Sequence, residues 1–164
     1  LGHRQIAMVA WDDDATASTY RREGFKAAMQ AYRLPIPDGF ITYGKNDEAH
    51  GRKSFEILSQ LPESQRPTAY VCSSDLEAIG VMNAADERGI IVGKDVSVVG
   101  FDDVPMSQYL RPALTTLRQP ISHVAELLVT MLKARIENKP IEQTQQIILP
   151  ELVVRASTGP RQTP

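Results

Sequence analysis

The chain has 164 residues, of which 42% are hydrophobic and 23% charged, a mixture typical of one ordinary globular domain. Its net charge of −2 offers no broad positive surface for nucleic acid, and no apolar stretch is long enough to cross a membrane. The single cysteine, Cys72, excludes an internal disulfide. The opening LGHRQIAMVA has neither an initiator methionine nor the apolar core of a signal peptide, so we expect a piece of a longer protein.

Short apolar runs and amphipathic segments alternate along the first hundred residues. The runs predict buried strands and the amphipathic segments predict helices. The predicted strands are 5–10, 39–44, 68–73 and 95–101. The predicted helices are 18–33, 46–61 and 74–89, with Ser18, Asn46 or Asp47, and Ser74 as caps and Gly89 as the stop. This alternation indicates an α/β fold, a parallel sheet with helices on both faces.

Beyond residue 105 the alternation gives way to a longer connection that contains prolines. ALTTLRQ (113–119) predicts a further short strand, and 121–140 predicts an amphipathic helix. The apolar stripe of that helix consists of Ile121, Val124, Ala125, Leu128, Met131 and Leu132. Two apolar runs split by Pro150 follow, and 160–164 predicts a loose tail.

Charged residues gather where the first and fourth predicted strands end. Right-handed crossovers place the carboxyl ends of parallel strands along one edge, where such sheets bind ligands. Asp102 and Asp103 point to opposite sides of an extended backbone, so only one of them can easily face a given ligand. One of Arg21 and Arg22, unfavourably placed near a helix N-terminus, has reason to reach towards an anion or hydroxyls. The pattern favours one ligand-binding carboxylate over a catalytic pair.

A metal-dependent use of these acids stays open. Asp12–Asp14 together with Asp102 and Asp103 could gather Mg²⁺ in a receiver or an enzyme, although no lysine follows GFDD and unneutralised carboxylates repel one another. The three histidines lack zinc-ligand spacing, the Ser73–Ser74 pair lacks a G-x-S-x-G elbow, and no phosphate-binding glycine loop is present. Apart from this magnesium alternative, no cofactor and no resident metal are expected.

Several motifs resemble those of the lac-repressor (LacI/GalR) family of bacterial transcription regulators. They are SSD after the third strand, VSVVGFDD, LTTLRQP and ELVVRAST, and LGHRQIAMV and YRREGFKAAM also fit in the right order. The resemblance covers nearly the whole chain. It implies a periplasmic-binding-protein-like fold of type I, in which two α/β subdomains close over a small effector, often a sugar or a nucleobase.

The same resemblance divides the chain into parts. Residues 3–110 and 148–159 correspond to most of the C-terminal subdomain, and 114–140 to one returning strand and helix of the N-terminal subdomain. The helix-turn-helix headpiece and the first half of the core are expected to lie outside this chain. Without the sheet that it covers in the family, the helix at 121–137 would expose its stripe, which predicts dimers or swapped pairs through this helix.

The resemblance also implies effector-binding residues. Arg21 matches the family's arginine that holds effector hydroxyls or a carboxylate, and Asp102 matches the acid that accepts hydrogen bonds from effector hydroxyls. Ser74 stands where many members have asparagine, and Asn46 lies near the place of a stacking aromatic ring. Gln119 matches a crossover position between the subdomains and is expected to line the cleft.

A homodimer is implied as well, with Asp103 expected to brace the loop towards the dimer contact and the crossover. The expected interface residues are Leu76, Ile79, Gly80, Asn83 and Leu110. A sugar-like effector would then modulate operator DNA binding by the headpiece, in the bacterial cytoplasm, without catalysis or membrane contact. A solute-binding protein of a transport system shares the fold and is the alternative, and a magnesium-dependent receiver or enzyme is a further one.

Overall fold

The computed structural model describes residues 1–12, 16–141 and 143–162, and among them six strands form one sheet in the order β2-β1-β3-β4-β5-β6. The strands are β1 (Ile6–Trp11), β2 (Ile41–Gly44), β3 (Ala69–Cys72), β4 (Ser97–Asp102), β5 (Thr115–Arg118) and β6 (Glu151–Val153). The helices are α1 (Thr16–Ala31), α2 (Glu48–Ser59), α3 (Asp75–Asp86) and α4 (Ile121–Ile136). The predicted α/β fold is confirmed.

The sheet follows the predicted parallel plan except at one edge strand. The strands β1 to β5 pair in parallel, whereas β6 pairs antiparallel with β5. Because parallel strands run in the same direction, the last residues of the first four strands, Trp11, Gly44, Cys72 and Asp102, mark one edge of the sheet. This carboxyl-end edge is the place where the sequence predicts ligand binding.

The strand of the predicted returning segment lies inside this sheet. β5 pairs with β4, Val99 lying opposite Thr115 and Asp102 opposite Arg118, and its other side pairs with β6. The strand therefore shares its backbone hydrogen bonds with the sheet of residues 3–110, whereas the predicted boundary sets it apart at residue 114.

Two apolar clusters cover the two faces of the sheet. The larger packs α2 and α3 on one face, and the smaller packs α1 on the other. β1 contributes Ala7 and Val9 to the larger cluster and Met8 and Ala10 to the smaller. This is the alternation expected of a strand that is buried on both faces.

Most of the predicted helix ends agree with the structure. Asp47 begins α2 by accepting a hydrogen bond from the amide of His50, and Ser74 begins α3 in the same way. Gly89, with a φ of 68°, follows the end of α3 as predicted. Ser18 is different, because it lies inside α1 and its buried hydroxyl donates to the carbonyl of Trp11. The predicted cap of α1 is therefore wrong.

The helices α2 and α3 pack with their backbones in contact. A Cβ atom at Gly80 would lie 2.0 Å from the carbonyl oxygen of Glu48, and one at Gly51 would lie 2.0 Å from that of Glu77. Side chains at these positions would keep the helices apart. Gly80, predicted to belong to the dimer interface, is instead buried against α2.

The helix α4 has none of its residues buried. Of its predicted stripe, Val124 and Met131 are half-buried, while Ile121, Leu128 and Leu132 are at least 60% exposed. The helix thus presents an uncovered row of apolar side chains. Within the described residues, no helix combines the length and the apolarity that crossing a membrane requires.

Candidate functional site

Arg21 reaches from α1 over the carboxyl-end edge of the sheet. Its guanidinium carbon lies 4.6 Å from the ring centroid of Trp11 and 3.7 Å from that of Phe101. Its Nη1 donates to the carbonyl oxygen of Ser73 at 2.7 Å, and its Nη2 lies 3.9 Å from Oδ1 of Asp102. The planar group is therefore held over the ends of β1, β3 and β4 by stacking and by directed contacts.

Asp102 closes β4 in an unusual backbone conformation. Its φ is 116°, in a region that residues other than glycine rarely adopt. Oδ1 accepts a hydrogen bond from Nε2 of Gln119 at 2.6 Å, and the side chain remains 32% exposed. Strained residues with accessible polar groups cluster at ligand sites, so the conformation of Asp102 is consistent with the predicted role as a ligand acceptor.

The ionisable groups of this edge are partly desolvated. Burial raises the pKa of Asp102, while the hydrogen bond from Gln119 and the charge of Arg21 lower it. Burial likewise lowers the pKa of Arg21, against the charges of Asp102 and Glu77. In such surroundings a hydrogen bond to a ligand is electrostatically stronger than in bulk water.

Ser74 and Asn46 form a second polar pair at the same edge. The hydroxyl of Ser74 donates to Oδ1 of Asn46 at 2.5 Å and accepts a hydrogen bond from the amide of Glu77 at 3.3 Å. Ser74 is buried and Asn46 is exposed. Ser74 is thus committed to capping α3 and holding Asn46, and Asn46 is the accessible member of the pair.

Asp103 faces a different set of partners. Its Oδ2 accepts a hydrogen bond from Nε of Arg118 at 2.6 Å, and its Oδ1 lies 2.7 Å from Nη2 of Arg155. Arg118 also lies 3.6 Å from a carboxylate oxygen of Glu151. The side chain of Asp103, only 7% exposed, therefore ties the end of β4 to β5 and to the segment after β6. These partners lie on the crossover side, and the predicted bracing of the loop towards the dimer contact stays a prediction.

Asp75 is a buried acid whose role sequence reasoning missed. Its carboxylate accepts hydrogen bonds from the amide of Val104 at 2.8 Å and from the hydroxyls of Ser107 and Thr116 at 2.6 and 2.5 Å. It therefore joins the start of α3 to the loop after β4 and to β5. Its position after the cap Ser74 suggests only a helix-start residue, because its partners lie 29 to 41 residues away.

Glu77 is a second buried acid without a sequence signal. Its Oε1 lies 3.1 Å from Nδ1 of His50, and both side chains are buried between α2 and α3. Burial raises the pKa of Glu77, and the hydrogen bond and charge of His50 oppose that rise. The pair lies directly beneath the capped start of α3, next to the polar edge.

The predicted dimer residues differ in how exposed they are to solvent. Leu76 and Asn83 are exposed, Ile79 is half-buried, and Leu110 packs partly against the larger core cluster. Met106 and Tyr109 are also exposed, in the loop that Asp75 holds through Ser107. The accessible residues of the predicted interface are therefore the apolar Leu76 and the polar Asn83.

A magnesium site is not assembled in the part of the chain that the structure describes. Among residues 1–12, 16–141 and 143–162, no three histidine, cysteine or acidic side chains are grouped so that they could hold a metal ion. Asp13 and Asp14 lie outside the described residues. Asp102 and Asp103 have the separate partners given above.

Comparison with known proteins agrees with this architecture. A model of the periplasmic binding protein-like domain matches residues 1–158. The HTH-type transcriptional repressor PurR of Salmonella paratyphi B is 39% identical over 159 residues, 96% of this chain and 46% of the relative.

Solved structures of LacI-family proteins are also similar to this chain. A regulatory protein of the LacI family from Chloroflexus aggregans has a TM-score of 0.92 and 41% identity, covering 96% of this chain and 56% of that one. The lac repressor dimer bound to operator and the anti-inducer ONPF has a TM-score of 0.86 and 28% identity, covering 98% of this chain and 54% of that one.

The mainly parallel sheet, covered on both faces, and its polar carboxyl-end edge define a domain of the periplasmic binding protein-like class. The chain belongs to this family, in the form that LacI/GalR transcriptional regulators use as their effector-binding core. It spans about half the length of the curated relatives that it matches.

Proposed function

We propose that this chain is the effector-binding and dimer-forming part of a bacterial transcriptional repressor. The observation that carries the proposal is the meeting of Arg21, Asp102 and Gln119 over the carboxyl-end edge of the sheet. The relatives of the chain are transcriptional repressors, so we assign it regulation in the cytoplasm and no catalysis.

The chemistry of the edge favours a neutral ligand that carries hydroxyl groups. Arg21 is already opposed by the charge of Asp102 and donates to the carbonyl of Ser73, so it offers little unbalanced positive charge to an anion. Asp102 supplies an acceptor for a hydroxyl, and the exposed Asn46 can both donate and accept. A sugar or a related polar molecule fits this combination.

Regulation requires the ligand to distinguish two conformations. An effector that binds one arrangement more tightly shifts the population towards it, and only that difference in affinity can change DNA binding elsewhere in the longer protein. Operator recognition therefore belongs to a separate DNA-binding domain. This chain contributes the shift in population between the two conformations that ligand binding causes.

The dimer surface that we propose lies on α3 and the loop after β4. Its residues are Leu76, Ile79, Asn83 and Leu110, together with the exposed Met106 and Tyr109. Gly80 is left out because it is buried against Glu48 inside the chain. Apolar side chains surrounded by polar groups are typical of such interfaces. The lac repressor, a structural neighbour of this chain, was solved as a dimer on its operator.

A thermal-shift screen of sugars, polyols and nucleobases on the full-length protein tests the proposal. A ligand that binds the native state raises the melting temperature, and the increase grows with the free ligand concentration relative to its Kd. Asp102→Ala is expected to abolish the shift, whereas Asp38→Ala, a change in an exposed turn, should leave it intact. A shift that survives Asp102→Ala would remove Asp102 from the site. Binding without any effect on operator affinity would instead favour a transport protein.

A further inference from the structure

The strand β2 forms one open edge of the sheet. Within the described residues it pairs with β1 on one side, and no strand lies on its other side. The amide of Met8 donates to the carbonyl of Phe40, and the amide of Asp12 donates to the carbonyl of Gly44. Because the hydrogen-bonding direction alternates along a strand, every second residue from Phe40 to Gly44 faces β1, and the residues between them face outwards.

The outward-facing residues of this edge are Ile41 and Tyr43. Their backbone amides and carbonyls have no partner in the part of the chain that the structure describes. Such a row of free donors and acceptors is a template for pairing with another strand. Thr42, between them, turns its backbone to β1 and donates its hydroxyl hydrogen to Ser54 of α2 at 2.8 Å. Residues 40–44 carry no charge, so nothing within the strand repels an approaching strand.

A groove of about 590 Å³ lies beside this edge, between β2 and α2. Ala49, Lys53 and Ile57, spaced one turn apart along α2, form its helical side. The side chains of Tyr43 and Ile57 are 52% and 50% exposed, so covering them with a partner would be favourable. The groove leaves the edge accessible and adds apolar surface to it.

The segment around Thr42 is complementary to a second copy of itself. If two copies lie antiparallel with Thr42 opposite its own copy, Ile41 of one copy faces Tyr43 of the other. Both residues turn their amides and carbonyls outwards, so each of these pairs exchanges both of its N–H···O bonds. An aromatic side chain opposite a β-branched one is a favourable cross-strand pair. The edge therefore fits a two-fold axis at Thr42.

Charged residues at the two ends of the segment are complementary in the same register. Asp38 precedes β2 and Lys45 follows it; both are exposed, and neither forms an ion pair among the described residues. Lys45 of one copy lies opposite Gly39 of the other and thus next to its Asp38, which places opposite charges side by side. Lys53 approaches its own copy from α2, but its exposed, flexible side chain can carry the ammonium group into solvent.

We propose that β2 pairs antiparallel with β2 of a second copy of this chain, about a two-fold axis at Thr42, and so joins two sheets edge to edge. The surface is separate from the proposed dimer surface on α3 and from the exposed row on α4. A chain that uses both the β2 edge and the α3 surface has two self-complementary contacts and can assemble as a dimer of dimers. The pairing does not depend on ligand binding.

A disulfide across the proposed axis tests the pairing directly. Thr42→Cys places two thiols at the closely spaced kind of cross-strand pair, with Cα atoms about 4.5 Å apart, which a disulfide can bridge. Under a mild oxidant this variant should form covalent dimers about tenfold faster than Gln30→Cys, because pairing raises the effective concentration of the thiols. Gln30 is exposed on α1, so its variant measures random collision. Cys72 is buried, and wild type supplies the background.

A backbone change at Tyr43 separates strand pairing from side-chain contact. Tyr43→Pro removes the outward amide hydrogen and leaves the hydrogen bonds with β1, because the amide of residue 43 does not face β1. Combined with Thr42→Cys, it should return cross-linking to the rate of Gln30→Cys. Tyr43→Thr, which shortens the side chain and keeps the amide, should retain most of the fast cross-linking. Urea unfolding confirms that each variant is folded.

The charges at the ends of the segment give an independent readout. In the Thr42→Cys background, Lys45→Asp or Asp38→Lys alone places like charges side by side and should slow cross-linking about two- to fivefold, whereas the two together should restore it. Cross-linking no faster than that of Gln30→Cys, or fast cross-linking that survives Tyr43→Pro, would overturn the pairing. In the first case Lys45 and Lys53 beside the groove would point to an acidic segment of another protein as the partner of this edge.

Discussion

The adjacent residues Asp102 and Asp103 direct their carboxylates to different parts of the molecule. Asp102 faces Arg21 and Gln119 at the carboxyl-end edge, whereas Asp103 faces Arg118 and Arg155 between the strand ends. Both have a positive φ, 116° and 52°. The backbone therefore turns sharply between a partly exposed carboxylate at Asp102 and a nearly buried ion pair at Asp103.

Asp103→Asn should destabilise the chain by about 2 kcal/mol, because it weakens charged contacts to two arginines in a poorly hydrated position. Urea unfolding near neutral pH measures the loss. Glu137→Gln is the control, since among the described residues Glu137 pairs with the exposed Lys133 and Lys139, and such pairs are worth about 0–1 kcal/mol. Equal losses in the two variants would contradict a bracing role for Asp103.

The same ion pair predicts a dependence on pH. Burial would raise the pKa of Asp103, but the contacts with Arg118 and Arg155 outweigh it and hold the pKa below its usual value. The stabilisation is therefore present above the unfolded pKa of about 3.9 and is lost as the pH falls through the lower folded value. Wild type should lose more stability than Asp103→Asn on acidification below about pH 4. If the stability of wild type and of Asp103→Asn fell equally with pH, the ion pair of Asp103 would not be the source of this dependence.

Removing only His50 from the buried pair with Glu77 should destabilise the chain much more than replacing both residues. His50→Leu leaves a carboxylate in the interior without its partner, which should cost about 3–5 kcal/mol. Adding Glu77→Met removes the charge as well and should recover a large part of that loss. A double-mutant cycle in urea measures the coupling, and additive effects would show that the two side chains do not interact.

His50→Leu should also change the response to pH. The pKa of Glu77 is already raised by burial, and removing His50 removes the main opposing influence. A carboxyl group whose folded pKa exceeds its unfolded value binds a proton more tightly in the native state. The variant should therefore gain stability as the pH falls from about 7 towards 5. A variant that loses stability over this range would contradict the burial of a charged Glu77.

Gly80 and Gly24 form a matched pair for testing the contact of α2 with α3. Gly80→Ala would place a Cβ atom 2.0 Å from the carbonyl of Glu48, so the helices must separate, at a cost of about 1–3 kcal/mol or more. Gly24 lies in α1, where an added methyl group would meet no neighbouring atom within 4 Å, and Gly24→Ala should stabilise by about 0.5–1 kcal/mol. In thermal unfolding we expect Gly80→Ala to lower the melting temperature and Gly24→Ala to raise it.

The fold was largely predictable because its periodicity is local. The alternation of apolar runs and capped helices along residues 5–101 predicts the first four strands and three helices with small errors at their ends. The strands that pair with β5 were harder to predict, because the sequence of a four-residue strand does not show which sheet it joins. Its pairing with β4 depends on backbone hydrogen bonds between distant segments.

The candidate site was predictable only in part from the residues themselves. Topology alone places Asp102 at the ligand edge, but the choice of Arg21 over Arg22, and the inclusion of Gln119, come from the family resemblance. Asp75 went unrecognised because its partners are far away in sequence. The burial of Gly80 against Glu48 was not predicted, because helical spacing shows which residues share a face and not what covers that face.

The exposed row on α4 should cause this chain to associate. Leu128 and Leu132 are about 60% exposed and lie one helical turn apart, beside the exposed Ile121 and Ile136. Leu128→Glu combined with Leu132→Lys replaces apolar surface with an i, i+4 ion pair that suits a helix. Sedimentation velocity should show association in wild type and a shift towards monomer in this variant.

The control for that experiment separates the two apolar surfaces of the chain. Leu76→Glu introduces a charge on α3, in the dimer surface that we propose from the family, and leaves α4 unchanged. If both surfaces associate, each variant reduces the average mass and the combination reduces it further, since the sites are independent. Association that persists in the α4 variant and disappears in Leu76→Glu would assign the contact to α3 alone. A clean monomer for wild type at high concentration would contradict association through either surface, because apolar side chains exposed in a row normally seek a partner.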